Sequence, residues 1–154
     1  PRVIPLFDAP EFFNEVLPAL SPDGRWLAYQ STESADAEVY LRPFPDVSSL
    51  RRQVSVDSGF APLWSADGQE LYYRSATDMM AVKVRTSRTV DLGRPEALFS
   101  LSDYVLPGTR GIKYEVGPDG RFLMLKDSGG GRSQDRVVLV QNWTDDVKRL
   151  VPTD

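Results

Sequence analysis

Cysteine and histidine are both absent from this chain of 154 residues. Without cysteine there can be no disulfide bond, no catalytic thiol, no CxxC redox motif and no thiolate zinc site. Without histidine the chain lacks the usual base of a Ser/His/Asp triad, the ligands of an HExxH zinc site and an imidazole switch near neutral pH. Much of the common catalytic repertoire is therefore missing, and we expect a non-enzymatic protein with no metal and no cofactor.

A positively charged surface and a long apolar segment are missing as well. The formal net charge is -4, and the basic pairs Arg51-Arg52 and Lys148-Arg149 are too short for a nucleic-acid-binding stripe. No run approaches the roughly 18 to 20 apolar residues needed to span a bilayer. The sequence therefore predicts no nucleic-acid partner and no membrane insertion. The chain begins at Pro1, without a signal-peptide apolar region, so we expect a processed product or an excised segment.

The sequence does contain a repeat, marked by a Pro-Asp-Gly or Ala-Asp-Gly turn. Seven residues recur at a constant spacing of 44: Pro18, Ser21, Asp23, Gly24, Leu27, Tyr29 and Ser31 recur as Pro62, Ser65, Asp67, Gly68, Leu71, Tyr73 and Ser75. A third copy follows at a spacing of 52 and keeps Pro118, Asp119, Gly120 and Leu123, with Gly117 in the place of the serine. Seven identities in register favour a true repeat over unrelated hairpin turns.

Each copy predicts two antiparallel strands joined by a tight turn. Proline suits the first central position of the turn, aspartate tolerates the second, and glycine takes the position that needs a positive φ. We therefore expect structural turn roles for Asp23, Gly24, Asp67, Gly68, Asp119 and Gly120. A metal cluster built from the three aspartates is the functional alternative, and it is disfavoured because turn aspartates mostly bond to nearby backbone N–H groups.

A period of about 40 to 50 residues leaves room for two more strands after each hairpin. Further strand-like runs occur at 38–44, 52–56, 79–85, 95–101 and 135–141. The sequence thus predicts an all-β fold of about three four-stranded antiparallel blades, at residues 17–56, 61–101 and 113–141. The third unit lacks a fourth strand, residues 142–151 have the pattern of a short C-terminal helix, and residues 2–7 form an unpaired N-terminal strand.

These residues resemble a known family. The segments "PALSPDGRWLAYQS", "APLWSADGQELYYRS", "YEVGPDGRFLMLK" and "VVLVQNW" together resemble the TolB-like, WD-repeat-like β-propellers, in particular the C-terminal half of propellers appended to bacterial serine/threonine kinases. The resemblance covers nearly the whole chain, from about residue 5 to residue 152. It implies a bacterial extracytoplasmic location, although the sequence itself leaves the compartment open.

Three blades are too few to close a ring, because propellers have about four to eight. An open arc would expose sheet faces and strand edges. Either the chain is a fragment of a longer protein, or two copies form a homodimer that closes a six-bladed ring. In the dimer, the strand at 2–7 of one copy would complete the third blade of the other.

Candidate functional residues lie in the longer loops, which should gather on the rim opposite the Asp-Gly turns. The polar residues of these loops that could meet a protein or small-ligand partner are Glu33, Asp36, Asp78, Asp103, Tyr104, Arg110 and Arg132. They could equally be solvated surface charges. The Gly-rich loop at 127–135 lacks the GxxxxGK[ST] pattern of a phosphate cradle.

The aromatic residues of the repeat have two interpretations. Packing between blades is the simpler one, since large aromatic side chains dominate protein cores, and a carbohydrate-stacking platform is the functional alternative. Both interpretations concern Trp26, Tyr29, Trp64, Tyr72, Tyr73 and Phe122. Glycosidase chemistry with two carboxylates would also be possible, but nothing in the spacing nominates a pair.

Three functions remain open at this point. The preferred one is a non-enzymatic propeller module of sensor or scaffold type that binds a protein or ligand. The second is the propeller segment of a larger enzyme, such as a prolyl-oligopeptidase-type hydrolase; this chain itself contains no G-x-S-x-G motif. The third is a truncated remnant that folds by self-assembly and has no dedicated ligand.

Overall fold

The computed structural model describes residues 6, 14–86, 89–104 and 114–126, together with the backbone of residues 136–140. These residues form twelve β-strands and no helix, so the all-β prediction is confirmed. Nothing within the described ranges is a helix of the length and apolarity that a bilayer crossing requires. The predicted helix at 142–151 lies outside the described residues, as does the predicted N-terminal strand at 2–7 apart from Leu6.

The first sheet, blade 1, is a four-stranded antiparallel meander. Its strands are β1 (Glu15–Leu20), β2 (Trp26–Ser34), β3 (Asp36–Pro43) and β4 (Arg52–Gln53), in that spatial order. The outermost strand β4 is shorter than the run predicted at 52–56. Beyond its end, the Val54 N–H donates to the Val39 carbonyl at 2.8 Å, but the Val39 N–H donates to the Ser55 hydroxyl at 2.7 Å, so a side chain replaces one of the two ladder bonds.

The second sheet, blade 2, has the same order with a divided outer strand. It comprises β5 (Phe60–Trp64), β6 (Glu70–Arg74), β7 (Asp78–Thr86), β8 (Val90–Leu92) and β9 (Glu96–Ser100). Both β8 and β9 pair with β7, and between them Gly93 donates its N–H to the carbonyl of Lys83 at 2.8 Å. The two short strands are therefore two parts of one outer strand, interrupted next to Pro95, which has no N–H to donate.

The third sheet, blade 3, contains three strands in the part of the chain that is described. They are β10 (Tyr114–Val116), β11 (Phe122–Lys126) and β12 (Arg136–Val140), each antiparallel to the next.

The three Asp-Gly turns join the first two strands of each blade. Their glycines have φ angles of 70° at Gly24, 69° at Gly68 and 76° at Gly120. This left-handed region is open to glycine and disfavours side chains with a Cβ.

The blades stack face to face, with an apolar cluster between each neighbouring pair. Between blades 1 and 2 the cluster is centred on Trp26, Leu41, Leu71 and Tyr73. Between blades 2 and 3 it is centred on Tyr72, Met79, Tyr114 and Phe122, where the rings of Tyr72 and Phe122 meet edge to face at 5.0 Å. These buried aromatic side chains pack the blades against one another.

The first strands of blades 1 and 2 have a bulge at equivalent positions, next to the repeated prolines Pro18 and Pro62. Leu17 in β1 and Ala61 in β5 have φ angles of 54° and 51°, and each precedes a proline and lies within a shift in strand register. The two positions are again 44 residues apart. A bulge leaves backbone groups without ladder partners. At Ala61 neighbouring blades supply them: the N–H donates to Gln30 Oε1 at 3.3 Å, and the carbonyl accepts from the Tyr114 hydroxyl at 2.6 Å.

Candidate functional site

The connections of blade 1 do not divide by length as expected, because only Ala35 separates β2 from β3 whereas the connection at 44–51 lies at the end of the Asp-Gly turns. The connections from the second to the third strand, and from one blade to the next, lie at the opposite end, because antiparallel strands alternate in direction. This end, called here the long-loop rim, comprises residues 32–37, 57–61, 75–78 and 101–104 among those described. Hydrogen bonds tie these connections together. The N–H of Gly59 donates to the Ala37 carbonyl at 2.7 Å, that of Ala76 to the Ser58 hydroxyl at 3.1 Å, and that of Leu101 to the Thr77 carbonyl at 2.8 Å.

On blade 1 the rim carries Glu33 and Asp36. Glu33 is half-buried, and its Oε2 accepts a hydrogen bond from Arg51 Nη1 at 2.5 Å. Its second oxygen, Oε1, is buried and makes no hydrogen bond. The guanidinium of Arg51 also lies 5.3 Å from the centre of the Tyr40 ring, which holds it in place. Asp36 is exposed at the start of β3 and faces solvent.

On blade 2 the rim carries Asp78, which is part of a tight turn. Its carboxylate accepts from the Thr77 hydroxyl at 2.6 Å, and its N–H donates to the Ser75 hydroxyl at 2.9 Å. Local partners of this kind are typical of a turn-forming aspartate.

At the junction of blades 2 and 3 the rim carries Asp103 and Tyr104. The Asp103 carboxylate is exposed and lies 3.6 Å from Lys126 Nζ of β11. Tyr104 packs its ring 5.9 Å from that of Phe99 and forms an isolated backbone bridge with Lys126. These two residues therefore attach the connection to blade 3.

The predicted site residues thus occupy one rim but do not converge on one point. Of the five that are described, only Asp103 and Tyr104 lie side by side, while Glu33 and Asp78 make separate local contacts and the Asp36 side chain faces solvent. Arg110 and Arg132 lie outside the described residues. Within the described ranges, no three acidic side chains are grouped closely enough to hold a metal ion. The rim can offer hydrogen-bonding and charged groups to a partner from a rigid support.

Comparison with known proteins identifies the architecture. No protein-family model and no curated protein matches the chain. Among solved structures, TolB from Acinetobacter baumannii superposes on 80% of this chain with a TM-score of 0.54 and 17% identity. Oligogalacturonate lyase from Vibrio parahaemolyticus superposes on 77% with a TM-score of 0.56 and 14% identity. This is a TolB-like β-propeller fold. The chain spans 29% of that TolB and 31% of that lyase, less than a third of either.

In this propeller the Asp-Gly turns form the opposite rim, where each aspartate is held by its own hairpin. Asp23 accepts from the Ser21 hydroxyl at 2.6 Å and from Arg25 Nε at 2.7 Å. These hydrogen bonds, that from Ser21 above all, lower the pKa of Asp23 to about 2. Hydrogen bonds likewise lower the pKa of Asp67, through Ser65 and the Gln69 N–H.

In the first two hairpins a serine links the turn to the blade. The Ser21 hydroxyl accepts the N–H of Trp26 at 2.9 Å, and the Ser65 hydroxyl accepts the N–H of Glu70 at 2.9 Å. One hydroxyl thus joins the turn aspartate to the first residue of the second strand. This geometry belongs to a structural turn.

A cleft of about 390 Å³ opens between the turn rims of blades 2 and 3. Asp67, Glu70, Tyr72 and Gly117 are among the residues that line it. The Tyr72 hydroxyl donates to Glu70 Oε2 at 2.7 Å, and burial together with this bond raises the pKa of Tyr72. The cleft is acidic, and its polar groups are already paired with one another.

The sequence did not predict a role for four buried polar residues within the described ranges: Gln30, Glu38, Ser55 and Arg74. Glu38 accepts a short hydrogen bond from the Ser55 hydroxyl, which in turn accepts the Val39 N–H. Gln30 and Arg74 occupy equivalent positions, 44 residues apart, in "YQS" and "YRS". A polar residue at the same place in two otherwise apolar strands was the available signal.

Proposed function

We propose that this chain is a non-enzymatic propeller module whose long-loop rim binds a protein or small-ligand partner. The observation that supports the role most directly is the set of hydrogen bonds that backbone N–H groups form between the rim connections. Side chains on such a support lose little conformational entropy when a partner binds. Exposed carboxylates at Asp36 and Asp103 are then available for recognition.

We further propose that the module associates with a second copy to close a ring. Side chains of β11 alternate, so that Phe122 and Met124 face blade 2 while Leu123 points to the opposite side of blade 3. Leu123 is 42% exposed and borders a cleft of about 320 Å³ that Val116 and Pro118 also line. In a closed propeller this face packs on a further blade, and two arcs of three blades would provide six.

Light scattering tests the association. We expect a species of twice the 17.2 kDa chain mass for the wild type, and a monomer for Leu123→Asp, because a charge on this face would be buried without a partner. Val56→Asp is the matched control: Val56 is 65% exposed in the connection between blades 1 and 2 and should leave the mass unchanged. A monodisperse wild-type monomer would overturn the association.

The binding role is tested by replacing the rim carboxylates. Asp36→Asn with Asp103→Asn should weaken capture of a partner from a library of peptides and small ligands, while the oligomeric mass stays unchanged. Asp46→Asn is the control, since Asp46 is exposed in the connection between β3 and β4, away from this rim. Equal capture by both variants would contradict the proposal.

A second candidate is a propeller segment of a larger enzyme, favoured by the likeness to an oligogalacturonate lyase. A catalytic domain encoded in frame beside this chain would support this candidate, whereas turnover of oligogalacturonate, peptide or glycoside substrates by the purified chain would overturn the non-enzymatic role.

A further inference from the structure

Arg74 is a buried cation in the interior of the propeller, at the junction of blades 2 and 3. It ends β6 at the long-loop rim and is only 6% exposed. Its Nε is buried and makes no hydrogen bond, and no ion pair of the described residues includes it. Buried arginines are normally paired, since an uncompensated buried charge is costly. The guanidinium therefore has unused capacity to bind an anion.

Comparison with the equivalent residue of blade 1 shows that Arg74 cannot make the hydrogen bond that this position of the repeat makes there. Its equivalent in blade 1, Gln30, uses its side-chain oxygen to accept the N–H of Ala61 in the next blade. An arginine carries only donors and cannot accept such a bond. Where blade 1 has a glutamine that accepts a bond from the next blade, blade 2 has an arginine that can only donate. Arg74 therefore requires an acceptor.

The surroundings of Arg74 favour one negative charge on a flat group. Its guanidinium carbon lies 6.0 Å from the centre of the Phe60 ring, a cation–π contact that restrains the side chain. Tyr114 is close enough to influence Arg74, but its hydroxyl proton is engaged by the Ala61 carbonyl. One cation among aromatic rings neutralises a monoanion, whereas a phosphate dianion would need a second cation. A carboxylate also matches the fork of a guanidinium with two hydrogen bonds.

We propose that Arg74 binds the carboxylate of a ligand that enters between blades 2 and 3 from the long-loop rim. This inference rests on the proposed binding role of the rim and names the chemistry of the ligand. A small organic acid and the C-terminus of a peptide both supply the group.

Nuclear magnetic resonance of the full chain tests the site through the Arg74 Nε–H signal, assigned with the Arg74→Lys variant. Sodium butyrate should shift this signal saturably, and butyramide, which has the same shape without the charge, should not. Arg74→Gln restores the residue found in blade 1 and should weaken butyrate binding by about 10- to 100-fold, the worth of hydrogen bonds to a charged group. Arg74→Lys keeps the charge without the fork and should give an intermediate loss.

The source of the carboxylate is distinguished with acetyl-dialanine and its C-terminal amide. Tighter binding of the free peptide acid than of butyrate assigns the site to peptide C-termini, and equal binding assigns it to small organic acids. The proposal is wrong if butyrate causes no saturable shift in the wild type, or if the glutamine variant binds butyrate equally well. If Arg74→Gln does not fold, the comparison of butyrate with butyramide and the lysine variant decide.

Failure of this site leaves the rim role standing, because the latter is measured by the Asp36 and Asp103 variants. Conversely, if those variants capture a partner as well as the wild type does, butyrate binding that depends on Arg74 would still support the carboxylate site.

Discussion

At the scale of single residues, each Asp-Gly turn combines a conformational requirement with a local hydrogen-bond network. The conformational part is cleanest at Gly24, where φ is +70° and a Cβ would meet no atom within 4 Å. Any loss of stability on substitution of Gly24 therefore measures the cost of the positive φ alone. At Gly68 a Cβ would also touch Pro22 of the neighbouring blade at 3.4 Å, so the two effects are mixed.

Gly24→Val should lower the free energy of unfolding by about 1 to 2 kcal/mol, because a β-branched residue is forced to a positive φ. Gly24→Asn is the control and should lose less, since asparagine tolerates the left-handed region. Urea denaturation measures both. Equal losses in the two variants, or wild-type stability of the valine variant, would contradict the turn assignment.

The hydrogen bonds to the Asp23 carboxylate make the free energy of unfolding depend on pH. The pKa of Asp23 falls from 3.8 to about 2 on folding, so the folded state binds fewer protons than the unfolded state over this range. The resulting stabilisation is present above about pH 4 and is lost as the pH falls towards 2. Its size is modest, because the Asp23 side chain is 40% exposed and screened by solvent.

Asp23→Asn should therefore melt at a lower temperature than the wild type at pH 7, and the difference should shrink as the pH falls towards 2. Circular dichroism at a series of pH values measures both proteins. A difference that stays constant across this range would show that the charge of Asp23 does not stabilise the turn.

At the scale of strands, the inner-strand bulge is the element that connects blades through polar groups. Ala61 is fully buried, so its displaced N–H and carbonyl have no access to water. Gln30 of blade 1 and Tyr114 of blade 3 satisfy them from opposite sides. The strand β5 is thus held by both neighbouring blades.

Tyr114→Phe should destabilise the protein by about 1 to 3 kcal/mol, because it leaves the buried Ala61 carbonyl without a donor. It also removes the longer bond, of 3.3 Å, from the same hydroxyl to the Tyr72 carbonyl. Tyr72→Phe is a matched control: its hydroxyl donates to Glu70 at an open cleft, where water can replace it. Chemical denaturation should show a clearly smaller loss for Tyr72→Phe. Two equal losses would mean that the bond to Ala61 contributes nothing special.

These elements show what could be predicted from the sequence. The hairpins were predictable because turn chemistry is local, and so was the outer strand at 95–101, observed as β9. The additional strand β8 was not predicted, since three residues form no periodic pattern. The roles of Gln30 and Arg74 were missed because they depend on which sheet face meets the next blade, and stacking order is not a local property. At the long-loop rim, the sequence indicated which loop residues are candidates for binding, but it could not predict that they make separate local contacts.

At the scale of the whole molecule, the proposed association has a thermodynamic consequence. A protein that folds and associates together is stabilised by mass action, so its melting temperature rises with protein concentration. We expect this rise for the wild type and for Val56→Asp, and its absence for Leu123→Asp. Calorimetry over a wide dilution series measures it. A concentration-independent melting temperature in the wild type would count against ring closure by a second copy.

The two apolar clusters between the blades differ in their tryptophan content. Trp26 lies in the cluster between blades 1 and 2, and the indole N–H of Trp64 crosses this junction to donate to the Ala19 carbonyl at 3.1 Å. The described part of the cluster between blades 2 and 3 contains tyrosine and phenylalanine but no tryptophan. In a Trp143→Phe variant, which keeps only these two tryptophans, fluorescence would therefore report the first junction, while tyrosine absorbance includes the second. The protein carries intrinsic optical probes with which the order of blade separation can be followed without labels.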